Sequence, residues 1–125
     1  MKEDWGGGKM HDFRKLEVWK RGMGFVTEIY RISAGFPQTE QFGLTNQLRR
    51  AAISIPLNIA EGAGSSSEPE FRKFLSYALR STYEVMTALE ISQNLGYSSS
   101  EKMAGSQDEA DEIAAMIVGP SRSLV

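Results

Sequence analysis

Apolar residues recur along most of this chain at intervals of three and four, the spacing of one face of an α-helix. The loop-forming stretches "GFP", "GAGSSS" and "GYSSS" interrupt the pattern, and no stretch alternates between apolar and polar residues as a half-buried strand does. The pattern predicts an all-α chain with helices over about 13–34, 42–62, 67–95 and 100–118, a flexible leader over 1–12 and a tail over 119–125. Because the connections are short, we expect an antiparallel up-down-up-down four-helix bundle.

The first two predicted helices each carry two apolar faces, whereas a bundle core needs only one face from each helix. In helix 1, a first stripe is assigned to the core: Leu16, Trp19, Met23, Val26 and Tyr30. A second stripe lies about half a turn away at roughly 100° per residue: Val18, Phe25, Ile29 and Ile32. In helix 2 the core face is Leu44, Leu48, Ala51, Ile55 and Ile59, and the other face is Ile53, Leu57 and Ala60.

Contiguous apolar residues outside a core usually mark an interface. The sequence therefore predicts a homo-oligomer whose subunits meet through Val18, Phe25, Ile29, Ile32, Ile53 and Leu57. The alternative is that these residues are scattered on the surface, where single apolar side chains are normal.

A row of polar residues, which we call the polar edge, runs between the two apolar faces of helix 2. It consists of Gln47, Arg50, Ser54, Asn58 and Glu61. If both faces are covered, these groups must find hydrogen-bond partners, because an unsatisfied buried group costs about 1–3 kcal/mol. We predict a structural network of Arg50, Ser54, Asn58 and Glu61 with Ser81 and Glu84 of helix 3; the alternative is a solvated edge. Pro56, inside this helix, predicts a bend.

The composition offers little catalytic chemistry. The chain has 125 residues, a net charge of −2, no cysteine and one histidine, His11. Thiol chemistry is excluded, and one histidine cannot supply the paired Glu-x-x-His motifs of a di-iron bundle. Glu61, Glu84 and Glu90 could form a carboxylate pair, but such residues on bundle helices are more often solvated. We therefore expect no enzymatic activity, cofactor or metal. The sequence contains no apolar run long enough to span a bilayer and no signal-peptide pattern, so we expect a cytoplasmic protein without membrane contact.

One long stretch carries a family resemblance. The sequence "FGLTNQLRRAAISIPLNIAEG", followed by "FRKFLSYALRSTYEV", resembles the 23S rRNA intervening-sequence proteins, a four-helix-bundle family that includes the accessory variability determinant proteins of diversity-generating retroelements. The resemblance covers about residues 13–118, and Arg80 stands where the family has glycine. It implies a homopentamer without known enzymatic activity and, for the retroelement members, binding to a reverse transcriptase and to RNA or DNA.

Nucleic-acid binding would need a clustered basic surface that neutralises phosphates. The candidates are Arg49, Arg72, Lys73, Lys20 and Arg21. On helix 1 the alternative is ordinary ion pairs with Glu17 and Glu28, which lie at helical spacings from these bases. The sequence therefore predicts a non-enzymatic oligomeric scaffold associated with nucleic acid or ribonucleoprotein. The alternative is a protein-interaction module whose acidic helix 4 (Asp108, Glu109, Asp111 and Glu112) contacts a basic partner.

Overall fold

The computed structural model describes residues 11–119, and these residues form four α-helices and no β-strand. The helices are α1 (Glu17–Ser33), α2 (Leu44–Ala63), α3 (Glu68–Asn94) and α4 (Ser100–Val118), and short 3-10 turns lie at Phe13–Lys15 and Gln38–Glu40. The predicted all-α chain with four helices is confirmed. The first predicted helix is divided, because Leu16 has extended backbone angles that separate the first turn from α1.

Local sequence signals set where α3 begins and ends. The Ser67 hydroxyl accepts a hydrogen bond from the Glu70 amide at 3.2 Å, which satisfies one of the free donors at the start of α3. Gly96 follows α3 with a φ of 75°, a conformation that glycine adopts without steric cost. α3 therefore ends where the chain must turn towards α4.

The four helices enclose one core, and each helix packs against two others. α2 contacts α1 and α3, and α4 contacts the same two helices. The largest fully buried side chains include Phe25, Ile29, Leu48, Ile55, Ile59, Phe71, Leu89, Met103 and Ile113. The core face assigned to α2 is therefore largely buried, with Leu48, Ile55 and Ile59 at 0% exposure.

The two stripes of helix 1 largely exchange the roles predicted for them, although Leu16 of the first stripe is buried as predicted. Val18, Phe25, Ile29 and Ile32 lie in the core, with exposures between 0% and 6%. They are unavailable to a second copy, so their assignment to a subunit interface is corrected. Trp19 and Val26 of the first stripe are only half-buried, and Met23 and Tyr30 are exposed. Both stripes are apolar, so periodicity alone could not decide which one faces the other helices.

Small residues set the distances between α2 and its neighbours. A Cβ atom on Gly62 would lie 2.8 Å from the Phe74 Cβ, so α3 crosses α2 here at a distance that only glycine permits. Pro56 is buried inside a helix that continues to Ala63, and its ring packs beside Gly22 of α1. Packing on both sides of α2 thus offsets the loss of a backbone hydrogen bond at Pro56.

The chain just before the first turn is attached to the end of the bundle. The His11 amide donates to the Ala63 carbonyl at 3.1 Å, and the His11 ring lies 4.9 Å from that of Phe71. His11 and Asp12, predicted to lie in a flexible leader, are therefore docked. The rest of the predicted leader, 1–10, and the tail from 120 onwards lie outside the described residues. Within the described part, no helix is both long enough and apolar enough to cross a bilayer.

Candidate interaction surfaces

An open groove lies on the outside of the molecule between α1 and α2. We call it the outer groove; its volume is about 370 Å³. It is lined by apolar residues throughout: Phe13, Trp19, Met23, Val26, Ile53, Pro56, Leu57 and Ala60. The Phe13 and Trp19 rings meet edge to face at 5.1 Å and form one end of it.

Large apolar side chains in this groove face solvent. Leu57 is 62% exposed and Met23 is 46% exposed, while Ile53 is half-buried. Of the six predicted interface residues, only Ile53 and Leu57 are thus on the surface. They adjoin the first stripe of α1, so the outer groove joins residues that the sequence had assigned to different roles.

Arg49 holds the end of α1 in place. Its Nε donates to the Ser33 hydroxyl at 2.8 Å, one terminal nitrogen donates to the Tyr30 carbonyl at 3.3 Å, and the guanidinium lies 4.4 Å from the Tyr30 ring centroid. A cation here also suits the partial negative charge at a helix C-terminus. The structure therefore gives Arg49, the first candidate for nucleic-acid contact, a structural role between α1 and α2.

Most of the other basic candidates are paired with carboxylates. Arg21 makes a two-pronged contact with Glu109 of α4 at 2.8 and 2.9 Å, and this hydrogen bonding raises the pKa of Arg21. Lys73 pairs with Glu70 at 3.0 Å, which raises the pKa of Lys73, and Arg72 lies 3.6 Å from Glu68. Lys20 is the exception: it is exposed, and within residues 11–119 it forms no ion pair.

The polar edge lies along the contact between α2 and α3. The Ser54 and Ser81 hydroxyl oxygens are 2.5 Å apart, and the Asn58 side-chain amide donates to the Ser54 carbonyl at 2.8 Å. The Gln47 amide donates to Glu84 at 2.6 Å. Four of the six predicted network residues thus lie in contacts along this edge: Ser54, Asn58, Ser81 and Glu84. Arg50 and Glu61 are exposed instead, and their side chains make no hydrogen bond to other described residues.

A second apolar surface surrounds Phe42, in the connection before α2. Phe42 is 88% exposed; Ile91 near the end of α3 is 44% exposed, and Leu95, the residue that follows α3, is 53% exposed. Phe42 and Ile91 border a shallow depression of about 400 Å³. We call Phe42, Ile91 and Leu95 the Phe42 surface.

Glu40 fixes the turn that carries Phe42. One carboxylate oxygen accepts from the Leu44 amide at 3.0 Å, and the other accepts from the Tyr97 hydroxyl at 2.9 Å. These two hydrogen bonds lower the pKa of Glu40, and the bond from the Leu44 amide has the larger effect. The hydrogen bond between Tyr97 and Glu40 raises the pKa of Tyr97. Glu40 therefore ties the connection before α2 to the connection after α3.

No convergent set of metal ligands accompanies these surfaces: among residues 11–119, no three His, Asp or Glu side chains cluster in a way that could hold an ion. The candidate carboxylates are also placed apart, since Glu84 bonds Gln47 on one side of α3 and Glu90 lies near Gln107 of α4. The features that the structure offers for function are thus surfaces.

Comparison with known proteins places the chain in a family. A family model described as 23S rRNA-intervening sequence protein matches residues 14–119. The chain belongs to this family. A crystal structure of a protein of unknown function from the S23 ribosomal protein family of Bacteroides thetaiotaomicron is similar with a TM-score of 0.73, covering 81% of this chain and 94% of that one. Its sequence identity is 23%, so the likeness shows the fold alone. No curated protein matches.

The resemblance drawn from the sequence is confirmed by this family match. Arg80, at the position where the resemblance led us to expect glycine, is exposed, and its guanidinium lies 5.7 Å from the Tyr77 ring centroid, so its bulk projects outwards. Sequence reasoning missed the Phe42 surface in this family member. Ile91 and Leu95 lie four residues apart across the end of α3, and that spacing of two apolar residues was the available signal.

Proposed function

We propose that this member of the 23S rRNA-intervening sequence family is a non-enzymatic assembly module: an up-down-up-down bundle that forms a homo-oligomer, with the pentamer of the family resemblance as the expected state. The observation that supports the proposal is the outer groove, which has an entirely apolar lining while Leu57 and Met23 face solvent. Contiguous apolar patches of this kind on soluble proteins mark interaction sites, because covering them removes apolar area from water.

The experiment compares the wild type with Leu57→Asp by light scattering at micromolar concentration. The wild type should show a multiple of the 13.9 kDa chain mass, and the variant should show the chain mass alone with unchanged helical circular dichroism. Assembly would bury the aspartate, and removing its charge from water is unfavourable. The stability of the monomer should change little, because Leu57 is already exposed there. Ala104→Asp, at an exposed site in the first half of α4, is the matched control and should stay oligomeric. A monomeric wild type contradicts the proposal.

Nucleic-acid association is the second candidate function, and exposed bases without ion pairs favour it. Within the described chain these include Lys20, Arg50 and Arg80. An oligomer would repeat them around its surface and sum their fields. An accessory role beside a reverse transcriptase and a cytoplasmic location stay predictions from the resemblance and the composition.

Gel-shift titrations of RNA and DNA across a salt series test this second function. Lys20→Ala with Arg50→Ala should weaken binding and flatten its salt dependence by about one unit of slope per lost phosphate contact. Arg72→Ala with Lys73→Ala, at bases already paired with carboxylates, should change binding less. Absence of any salt-sensitive shift for the wild type would reject nucleic-acid association and leave the assembly function as the proposal.

A further inference from the structure

Two unlike apolar surfaces occur on the same chain. The outer groove is concave, and its residues come from the first turn, α1 and α2. The Phe42 surface projects, because Phe42 stands on a turn with 88% of its area in water. Neither surface is covered by any described residue.

We propose that these surfaces are the two halves of one contact between copies, in which Phe42 of one subunit enters the outer groove of the next. The inference rests on the proposed self-assembly and adds which surfaces meet. A groove of about 370 Å³ is at the lower end of sites that hold small organic ligands, a size that suits one aromatic side chain.

The turn that carries Phe42 is rigid, which favours its use as an anchor. Glu40 accepts hydrogen bonds from Leu44 and Tyr97, and the Gly43 amide donates to the Glu40 carbonyl at 2.9 Å. A Cβ on Gly43 would lie 2.9 Å from the Glu40 carboxylate oxygen that accepts from Leu44, so a larger residue there would displace this carboxylate. An anchor held in its bound position loses less conformational entropy on association.

The charged groups nearest the two surfaces include bases at the outer groove and an acid beside Phe42. The Arg14 guanidinium lies 4.5 Å from the Phe13 ring centroid at one end of the groove, and Lys20, which forms no ion pair with residues 11–119, follows Trp19 on α1. Glu84 borders the depression beside Phe42. Acids also lie on the groove side: Asp12 precedes Phe13, and Glu61 lies one turn beyond Leu57. The opposite charges of Lys20 and Glu84 favour a second copy as the occupant and orient it.

Such a contact is heterologous, because different patches of the two subunits meet. Each bound pair keeps one free groove and one free Phe42 surface, so further copies add until the ring closes. A contact that pairs one surface with itself would instead stop at a two-fold dimer.

Complementation between two defective variants tests the proposal. Phe42→Asp keeps an intact groove, and Leu57→Asp keeps an intact Phe42 surface; each alone should be monomeric. Because the chain has no cysteine, a fluorophore can be attached to Phe42→Asp through an Ala104→Cys substitution. Titration with unlabelled Leu57→Asp should raise the fluorescence anisotropy to a plateau and yield a particle of two chains. Since a ring holds each subunit by two contacts, this pair should need a higher concentration than the wild type.

Two matched titrants make the result specific. The double variant Phe42→Asp/Leu57→Asp should bind the labelled chain at least about tenfold more weakly, because its aromatic anchor is missing. In a charge exchange, Lys20→Glu added to the labelled chain should weaken binding, and Glu84→Lys added to Leu57→Asp should restore it. Circular dichroism and urea unfolding of each variant show whether it is folded. If Phe42→Asp does not fold, Phe42→Ala replaces it in the same experiment.

Either of two outcomes would overturn the inference. If Phe42→Asp or Leu57→Asp still self-associates, then either the intact surface of that variant pairs with itself, or the mutated surface is not used in the contact. If both are folded monomers that do not bind each other, the surfaces do not meet. A monomeric wild type would reject the proposed self-assembly, whereas these outcomes reject only the arrangement.

Discussion

The two apolar stripes of α1 share one helix and similar hydrophobicity, yet their surroundings differ completely. Phe25 of the second stripe is 1% exposed and Ile29 is 0% exposed, whereas Met23 and Tyr30 of the first stripe are 46% and 39% exposed. The second stripe packs against the other helices, whereas three residues of the first stripe line the outer groove. Hydrophobic periodicity shows that both stripes need cover, but it does not show whether the cover comes from the same chain.

Truncation of one residue from each stripe should separate their roles most strongly. Phe25→Ala removes a buried ring and should lower the free energy of unfolding by about 3–5 kcal/mol, because it loses transfer energy and leaves a cavity. Met23→Ala should lower it by less than about 1 kcal/mol, since much of that side chain is already in water. Urea unfolding of both in a Leu57→Asp background excludes the contribution of assembly.

The reverse pattern would show that the helices pack differently. If Met23→Ala destabilised this background as much as Phe25→Ala, the first stripe would be the core as the sequence predicted. The outer groove would then not exist in the free subunit.

Glycine-to-alanine substitutions extend the comparison to the contacts of α2 with α3 and with α1. The expected effect on the free energy of unfolding is smaller. Gly62→Ala places its Cβ 2.8 Å from the Phe74 Cβ and should cost about 1–3 kcal/mol, since an overpacked contact must shift backbone. At Gly22 the nearest atoms, on Pro56 and Ile55, are 3.5–3.6 Å away, an ordinary contact. Gly22→Ala should therefore be neutral or stabilising by up to about 1 kcal/mol, through helix propensity.

Thermal and urea unfolding measure both glycine variants. Equal destabilisation by the two would mean that α1 approaches α2 as closely as α3 does. A harmless Gly62→Ala would contradict the close crossing of α2 and α3.

The four helices could be predicted from the sequence, because apolar residues recur at intervals of three and four in each of them and turn-forming residues separate them. The core face of α2 was also predictable, since Leu48, Ile55 and Ile59 form an aliphatic row without polar groups. For α1 the useful signal was residue type: Trp19 and Tyr30 combine an apolar body with a polar group, as side chains at interfaces often do. The role of Arg49 could not be predicted, because its partners Ser33 and Tyr30 belong to another helix.

The smallest predicted effect concerns the turn that positions Phe42. Glu40 has a pKa below its ordinary 4.5, so its contribution to stability is present above that pH and is lost as the pH falls through its lowered pKa. Tyr97 has a pKa above 10.0, so its contribution is present below that pH and is lost as the pH rises through the raised value. Glu40→Gln should therefore lower the melting temperature slightly at neutral pH and reduce its decline in acid.

Comparison of melting curves across pH isolates this contribution from the other carboxylates. Glu61→Gln is the matched control, because the Glu61 side chain is exposed and forms no hydrogen bond or ion pair within residues 11–119, and its melting curves should match those of the wild type. Glu40→Gln should also weaken self-association while leaving the buried second stripe intact, since it loosens the Phe42 turn and not the core. If Glu40→Gln and Glu61→Gln gave the same melting curves, and Glu40→Gln associated as strongly as the wild type, Glu40 would not hold that turn, and the outer surfaces would not depend on it.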